Sequence, residues 1–139
     1  MDLDDCFRKG LIKKTNVNTE LIKSLIEMSK IKELAVSSAK IDKINISAYV
    51  SLAYDALREI LEAICISRGY KVLSHICIGE LLKDVLGADY AEFDRLRWTR
   101  NSINYYGIKV DFEQGKEIID KIFVMKNKFL KEHLSAFKS

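Results

Sequence analysis

The stretch from Leu96 to Gly107 carries the densest set of side chains that could bind a ligand. Within twelve positions it holds the only Trp of the chain, together with two Arg, two Asn and two Tyr. Neither Gly nor Pro interrupts it before Gly107, so it predicts one continuous helix that ends there. Polar side chains this dense are not needed for a core, so the stretch either lines a cleft or lies in a subunit interface.

Helical spacing places these side chains in two rows. Residues four apart lie about 40° apart around a helix, so Arg100 and Asn104 share a face. Arg97, Asn101 and Tyr105 form a second row. Arg100 and Tyr105 project about 140° from each other, so they reach one ligand only across a groove or near a frayed helix end.

The residue types in these rows suit recognition of a phosphate and of a base. A guanidinium group forms two hydrogen bonds to a phosphate, amides read polar edges, and aromatic rings stack on bases. The alternative is a helix whose polar face is solvated or pairs with a second subunit.

The spacing of Arg100, Asn101 and Tyr105 resembles the signature of HEPN domains. These small prokaryotic helical bundles carry an Arg, usually followed by a polar residue, and a His four to six residues after the Arg. In this chain the His position falls on Tyr105, or on Tyr106 at the longer spacing. Further similar segments bring the resemblance to nearly the whole chain: Ala53–Arg58, Gly69–Lys71 with Ser74–His75, and Asp4–Leu11.

The resemblance implies metal-independent RNA cleavage, in which the Arg holds the scissile phosphate and the His moves protons. Here Arg100 is present, but a Tyr hydroxyl has a pKa near 10 and is a poor base at neutral pH. Binding is therefore predicted more clearly than cleavage. The resemblance also implies a homodimer with a shared cleft and a minimal nucleotidyltransferase as toxin–antitoxin partner, with Tyr105 or Tyr106 as candidates for modification.

Three functions stay open from these residues. The first is a HEPN-type ribonuclease with Arg100 and Tyr105 as catalytic residues. The second is a non-catalytic module that binds RNA or a nucleotide. The third is a dimerising interaction subunit for a nucleotidyltransferase. The predicted binding residues, shared among these readings, are Arg97, Asn101, Asn104, Tyr106, Asp55 and Arg58.

Composition favours one all-α domain. The chain has 139 residues, of which 48% are hydrophobic and 31% charged, with six Gly and no Pro. A loop-rich or all-β fold needs more turn residues than that. We predict an N-terminal arm over residues 1–17 and a HEPN-like, up-and-down bundle of about five helices over residues 18–139.

Apolar periodicity locates the helices. The expected ranges are Asn18 to about Lys40–Asn45, Ile46–Arg68, Ser74–Leu86, Asp89–Tyr106, and a last helix after Gln114. In the first, a stripe of Leu21, Leu25, Met28 and Ala35 is predicted to be buried. The lysines of the last helix are predicted to form a solvated face.

Two charged residues of the second predicted helix, Asp55 and Arg58, must be paired if that helix is enclosed. They pair either within their own helix, for example Asp55 with Arg58 or Glu59, or with the helix that carries Arg100. His75, at the start of the third predicted helix, is interpreted as a capping or surface residue.

The three cysteines, Cys6, Cys65 and Cys77, form no C-x-x-C pair and are interpreted as free thiols of a reducing compartment. A zinc site from Cys65, His75 and Cys77 lacks a fourth ligand. No phosphate loop or dinucleotide fingerprint occurs, so neither metal nor cofactor is predicted. Without a signal peptide or a membrane-spanning stretch, the protein is expected to be cytoplasmic, with no membrane partner.

Overall fold

The computed structural model describes residues 1–137 and confirms the all-α fold class. Its long helices are α2, α3, α6 and α7, and only two short strands accompany them. In chain order the elements are α1 (Leu3–Arg8), β1 (Ile12–Lys14), α2 (Thr19–Ser38), α3 (Ile46–Ser67), β2 (Tyr70–Val72), α4 (His75–Leu81), α5 (Lys83–Leu86), α6 (Tyr90–Tyr106) and α7 (Phe112–His133). Short 3₁₀ turns follow α5 and α7.

The predicted third helix is interrupted. Its chain leaves helical geometry at Leu82, with φ −102° and ψ 22°, so that α4 and α5 are separate short helices. Leu82 itself is fully buried. This break and the short helix α1 raise the number of helices above the predicted five.

Helix α3 is the centre of the bundle. Of its 22 residues, 13 are buried, because α2, α6 and α7 all pack against it. Small side chains on α3 allow α2 to approach closely: the Ser29 hydroxyl of α2 donates a hydrogen bond of 2.6 Å to the Ala56 carbonyl.

Helix α2 presents a different face to the core than the sequence predicted. The structure buries Ile22, Ser29 and Val36. Leu21 and Met28, which were predicted to be buried, are 41% and 44% exposed. The prediction of the buried face was wrong because α2 packs closely on α3, and close packing favours the small side chain of Ser29. The apolar stripe in the sequence did not identify the side of α2 that faces α3.

The N-terminal segment is docked on the domain. Strand β1 pairs antiparallel with β2, with Ile12 opposite Val72. A disulfide joins Cys6 of α1 to Cys77 of α4, 71 residues away in the chain. The interpretation of these two cysteines as free thiols was therefore wrong; only Cys65, buried in α3, is free. No local pattern signals a pair this distant, because it forms only when α1 packs on α4.

One lysine of α7 departs from the predicted solvated face. Lys126 is 2% exposed, and its Nζ lies 2.7 Å from Glu33 Oε1 of α2. Asn127 donates two further hydrogen bonds to the same carboxylate, of 3.3 and 3.4 Å. A lysine can take such a position because its long apolar stem is buried while its ammonium group is paired.

Candidate functional site

A line of polar contacts joins α3 to α6, which run antiparallel. The Ser51 hydroxyl lies 3.0 Å from Asn104 Oδ1, and one turn further Asp55 Oδ1 lies 3.3 Å from Arg100 Nη2. Four-residue spacing on both helices produces this register. We call this line the α3–α6 seam and define it by Ser51, Asp55 and Arg58 of α3 and by Arg97, Arg100 and Asn104 of α6.

Asp55 lies between two guanidinium groups. Besides Arg100, the Nε of Arg58 is 3.8 Å from the same Oδ1, and Arg58 Nη1 donates a 2.8 Å hydrogen bond to Glu62. Both alternatives from the sequence are thus present together: Arg58 pairs within its own helix, and Asp55 also reaches the helix that carries Arg100. The side chain of Arg100 keeps 15% of its surface exposed.

Arg97 lies one turn before Arg100 and is 8% exposed. Its Nε and Nη2 donate to Asp94 Oδ1 at 3.2 and 2.9 Å. The guanidinium also lies over the Trp98 ring, 5.4 Å from its centroid. Asp94 and the Trp98 ring therefore hold the Arg97 side chain in place.

Two side chains that sequence reasoning did not place in the site lie under the seam. Tyr54 is fully buried; the guanidinium of Arg100 is 5.8 Å from its ring centroid, and the His75 ring is 5.9 Å away. Burial raises the pKa of Tyr54, while the nearby charges of Arg97, Arg100 and Arg58 act against that rise. Tyr54 therefore stays neutral at physiological pH.

His75 is half-buried at the start of α4 rather than a surface cap. Burial lowers its pKa to about 4, and the positive charges of Arg58 and Arg100 act in the same direction. Its imidazole is consequently neutral at pH 7 and can both donate and accept a proton. In the sequence only the rarity of His singles out His75, because its neighbours belong to two other helices.

Three buried polar groups in or directly under the seam have no hydrogen-bond partner among residues 1–137. They are the Nε atoms of Arg58 and Arg100 and the hydroxyl of Tyr54. Buried polar groups are nearly always paired, so each of these is a candidate for a partner from outside the chain. All three can donate a hydrogen bond.

The remaining predicted residues lie on or near the outer side of α6. Tyr105 and Tyr106 are 71% and 72% exposed, whereas Asn101 is half-buried. The described residues show no contact between Tyr105 and Arg100, as their 140° separation around the helix leads one to expect. Trp98 is also exposed, so an aromatic surface adjoins the seam.

A cavity away from the seam was also considered as a site. It has a volume of about 450 Å³, lies between α2 and α7, and includes Glu33, Lys126 and Asn127 in its lining. Lys126 and Asn127 both donate hydrogen bonds to the Glu33 carboxylate. None of the residues that the sequence singled out as catalytic or binding lines it, so the seam is the stronger candidate site.

Within residues 1–137, no three His, Cys, Asp or Glu side chains lie close enough together to bind a metal ion. The zinc site considered from the sequence needs Cys77, which is consumed by the disulfide to Cys6. In the same part of the chain, no helix has the length and apolar character that crossing a membrane requires.

Comparisons with protein-family models, curated proteins and solved structures find no match to this chain. The resemblance to HEPN domains therefore rests on the residues alone, and the function is argued from the seam.

We expect the stability of the fold to depend on His75 below neutral pH. Because its folded pKa of about 4 lies below the ordinary 6.5, the unfolded chain binds more protons between these values. The stabilisation is complete above about pH 6.5 and is lost as the pH falls toward 4. Allowing for partial exposure, the loss is ~1–2 kcal/mol.

Urea unfolding of the parent and of His75→Gln between pH 7.5 and 4 measures this pH-dependent loss of stability. The difference between the two free energies of unfolding should shrink or reverse as the pH falls, because only the parent loses the His75 contribution. A difference that is constant across this range contradicts the assignment.

Proposed function

We propose that this protein is a HEPN-like helical protein that binds a phosphate group of RNA or of a nucleotide at the α3–α6 seam. The observation that carries the proposal is the convergence of three arginines on one seam that contains unpartnered buried donors. Arg58 and Arg100 share the carboxylate of Asp55, at 3.8 and 3.3 Å, and Arg58 also donates to Glu62 at 2.8 Å. Their guanidinium groups therefore keep donor capacity for a further anion.

A phosphate fits these donors better than a neutral ligand does. Guanidinium groups bind phosphate through two parallel hydrogen bonds, and such charge-assisted bonds are roughly twice as strong as neutral ones. A phosphate would reach the exposed part of Arg100 and compete with Asp55 for it. Asn104, whose amide already contacts Ser51, marks one end of the same seam.

The exposed surface of α6 supplies the second feature of a nucleotide site. Trp98 and Tyr105 are 57% and 71% exposed and are seven residues apart on one helix face. Exposed aromatic side chains can stack on unpaired bases, at about 1–3 kcal/mol per base. Single-stranded RNA is therefore the preferred ligand class in this proposal.

Cleavage is a second candidate function, and His75 is the observation that favours it. Its imidazole is neutral at pH 7, and its ring lies 5.9 Å from the Tyr54 ring, which the Arg100 guanidinium also approaches, at 5.8 Å. In a metal-independent ribonuclease it would take the proton-transfer role that the Tyr105 position cannot fill. Tyr105 would act as a catalytic residue only in a dimer whose subunit arrangement places it opposite Arg100 across a groove.

The third function, an interaction subunit, draws on the same exposed α6 surface. Trp98, Tyr105, Tyr106 and Ile108 are all more than half exposed. Aromatic and Arg side chains are enriched at protein interfaces, so a minimal nucleotidyltransferase or a second copy would fit there. Loss of association after Trp98→Asp, with RNA binding absent in the parent, would favour this function.

The binding proposal predicts the effect of removing Arg100. A charge-assisted contact contributes roughly 1.5–3 kcal/mol, so Arg100→Ala should weaken binding of a labelled single-stranded RNA about tenfold or more. Arg100→Lys should recover only part, because an ammonium group does not make the paired contact. Fluorescence anisotropy at low salt measures the dissociation constants.

Lys121→Ala is the matched control, because its side chain is 60% exposed and lies on α7. It removes the same charge from the chain and should change binding little. Equal RNA binding by Arg100→Ala and the parent, at unchanged thermal stability, would show that the seam is not the phosphate site.

A further inference from the structure

Two lysines stand directly opposite each other in the two-stranded sheet. The antiparallel register places Lys13 of β1 opposite Lys71 of β2. Side chains of directly opposed residues lie on the same face of a sheet, with their Cβ atoms about 5 Å apart. Both lysines are exposed, and neither forms an ion pair with an acidic group of residues 1–137. We call these two residues the lysine pair.

The lysine pair lowers the stability of the sheet that carries it. Like charges directly opposite each other destabilise strand pairing, and each of these strands has only three residues. The other face of the sheet offsets the repulsion, because Ile12 is buried there with Cys6 and Cys77, which the disulfide joins. The fold therefore holds two positive charges side by side on a surface where an opposite charge would be more stable.

The chain around the lysine pair is positively charged as well. Residues 9–19 and 63–79, which contain the two strands, include no Asp or Glu but carry four Lys and one Arg. Of these, Arg68 pairs with Asp84 at 3.0 Å. Lys9 and Lys14 are exposed and, like the lysine pair, have no ion-pair partner in the described part of the chain. An anionic ligand would therefore meet no acidic residue of either segment.

A polyanion suits this surface better than a small anion does. The ammonium groups stand on flexible stems above a sheet, so no pocket encloses a single small ligand. Each lysine can contact a different phosphate as a point charge. Binding of successive phosphates would remove the repulsion within the lysine pair and release the counterions that the nucleic acid holds when free.

The position of β2 in the chain connects the lysine pair to the seam. Only four residues separate Lys71 from His75, which is about 14 Å of fully extended chain at most. The His75 ring lies 5.9 Å from the Tyr54 ring, and the Arg100 guanidinium approaches the same ring. A stacked single strand advances ~3.4 Å per nucleotide, so about four nucleotides cover the distance from Lys71 to His75.

We propose that the lysine pair binds the phosphate backbone of the single-stranded RNA whose phosphate is bound by Arg100 at the seam. The inference rests on the proposed function for its ligand, and it adds a contact surface outside α3 and α6. Contacts from lysine to phosphate do not read bases. The lysine pair should therefore contribute affinity without sequence preference.

The salt dependence of RNA binding tests the lysine pair. For single strands, the slope of the logarithm of the binding constant against the logarithm of the salt concentration is about −0.7 per neutralised phosphate. The double variant Lys13→Gln, Lys71→Gln should therefore show a slope that is smaller in magnitude by ~1.4, and binding about tenfold weaker at low salt. The loss should be equal for RNAs of different sequence. Fluorescence anisotropy over a series of salt concentrations measures both quantities.

The double variant Lys40→Gln, Lys43→Gln is the matched control. Both lysines are exposed and belong to the connection between α2 and α3. Helix α3, with 22 residues and a length of about 33 Å, separates this connection from β2. The control removes the same two charges from the chain and should leave the slope as in the parent.

The single variant Lys13→Glu separates ligand binding from a structural role. It turns the repulsive pair into an attractive pair with Lys71, so the midpoint of thermal unfolding should rise while RNA binding weakens. A fall in both would show that Lys13 supports the sheet and would overturn the proposal.

The same measurements distinguish this inference from phosphate binding at the seam. If Arg100→Ala weakens binding but the Lys13→Gln, Lys71→Gln variant keeps the slope of the parent, only the lysine-pair proposal is overturned. If that variant loses slope while Arg100→Ala binds as the parent does, the lysine pair is supported and the seam fails. Vesicles containing phosphatidylserine that bind through the lysine pair, with RNA binding independent of it, would assign the surface to a membrane and overturn the proposal.

Discussion

Replacing Cys6 and Cys77 by Ala should lower the free energy of unfolding by ~4 kcal/mol. The disulfide closes a loop with a sequence separation of 71 residues. In the chain-entropy treatment, a loop of this length reduces the entropy of the unfolded state by an amount equivalent to about 4 kcal/mol. Both cysteine side chains are also fully buried.

Urea unfolding with and without a thiol reductant measures the effect. Reduction should destabilise the parent by a similar amount and should leave the Cys6→Ala, Cys77→Ala double variant unchanged. A double variant as stable as the oxidised parent would contradict the docked position of the N-terminal segment. Hydrogen exchange in β1 should increase in the variant, because the strand is only three residues long.

Replacing Lys126 by Ala should cost ~3 kcal/mol of stability, although a surface lysine of the same helix costs almost nothing. Lys126 is 2% exposed and donates to Glu33 at 2.7 Å. Its removal deletes the buried apolar stem and leaves a half-buried carboxylate without its cation. Thermal or urea unfolding at pH 7 measures the change.

Lys121→Ala is the control here as well, with an expected change within ~0.5 kcal/mol. A double variant, Glu33→Leu with Lys126→Met, should recover most of the loss, because buried ion pairs can be replaced by apolar groups of similar volume. Equal stability of Lys126→Ala and Lys121→Ala would show that the pair between α2 and α7 does not form in solution.

The sequence determines most of the helical architecture because local signals act within each helix. Asn18, where the first long helix was predicted to begin, caps α2 by accepting a hydrogen bond of 3.0 Å from the Leu21 amide. Gly107 ends α6 in the left-handed region, at φ 64°, which Gly adopts without strain. Signals of this kind need no knowledge of neighbouring helices.

The rotation of α2 could not be predicted in the same way. Its sequence contains two apolar stripes, and the choice between them depends on close contact with α3. Ser29 packs there because its hydroxyl finds the Ala56 carbonyl, a partner 27 residues away in the chain. A polar residue is thus buried in place of Leu21 or Met28.

The candidate site could be predicted in part. Helical spacing grouped Arg100 with Asn104 and separated both from Tyr105, and the structure retains that arrangement. Tyr54 and His75 escaped prediction because each is brought to Arg100 by packing between different helices. Their altered pKa values arise from burial, which one sequence does not reveal.

The most direct test of phosphate binding at the seam compares Arg100→Ala with Asp55→Asn. Asp55 holds Arg100 at 3.3 Å and would compete with a bound phosphate for the same guanidinium. Arg100→Ala removes the ion pair with Asp55, and Asp55→Asn removes the pairs with both Arg100 and Arg58, so each variant should lose about 1–2 kcal/mol of stability. Their effects on binding should differ in sign.

RNA binding by both variants is measured by fluorescence anisotropy at a temperature where both are fully folded. Arg100→Ala should bind about tenfold or more weakly, whereas Asp55→Asn should bind roughly threefold more tightly, because a competing negative charge is gone. Equal weakening by the two variants, or no change in either, would show that the seam only joins α3 to α6 and would contradict the proposed function.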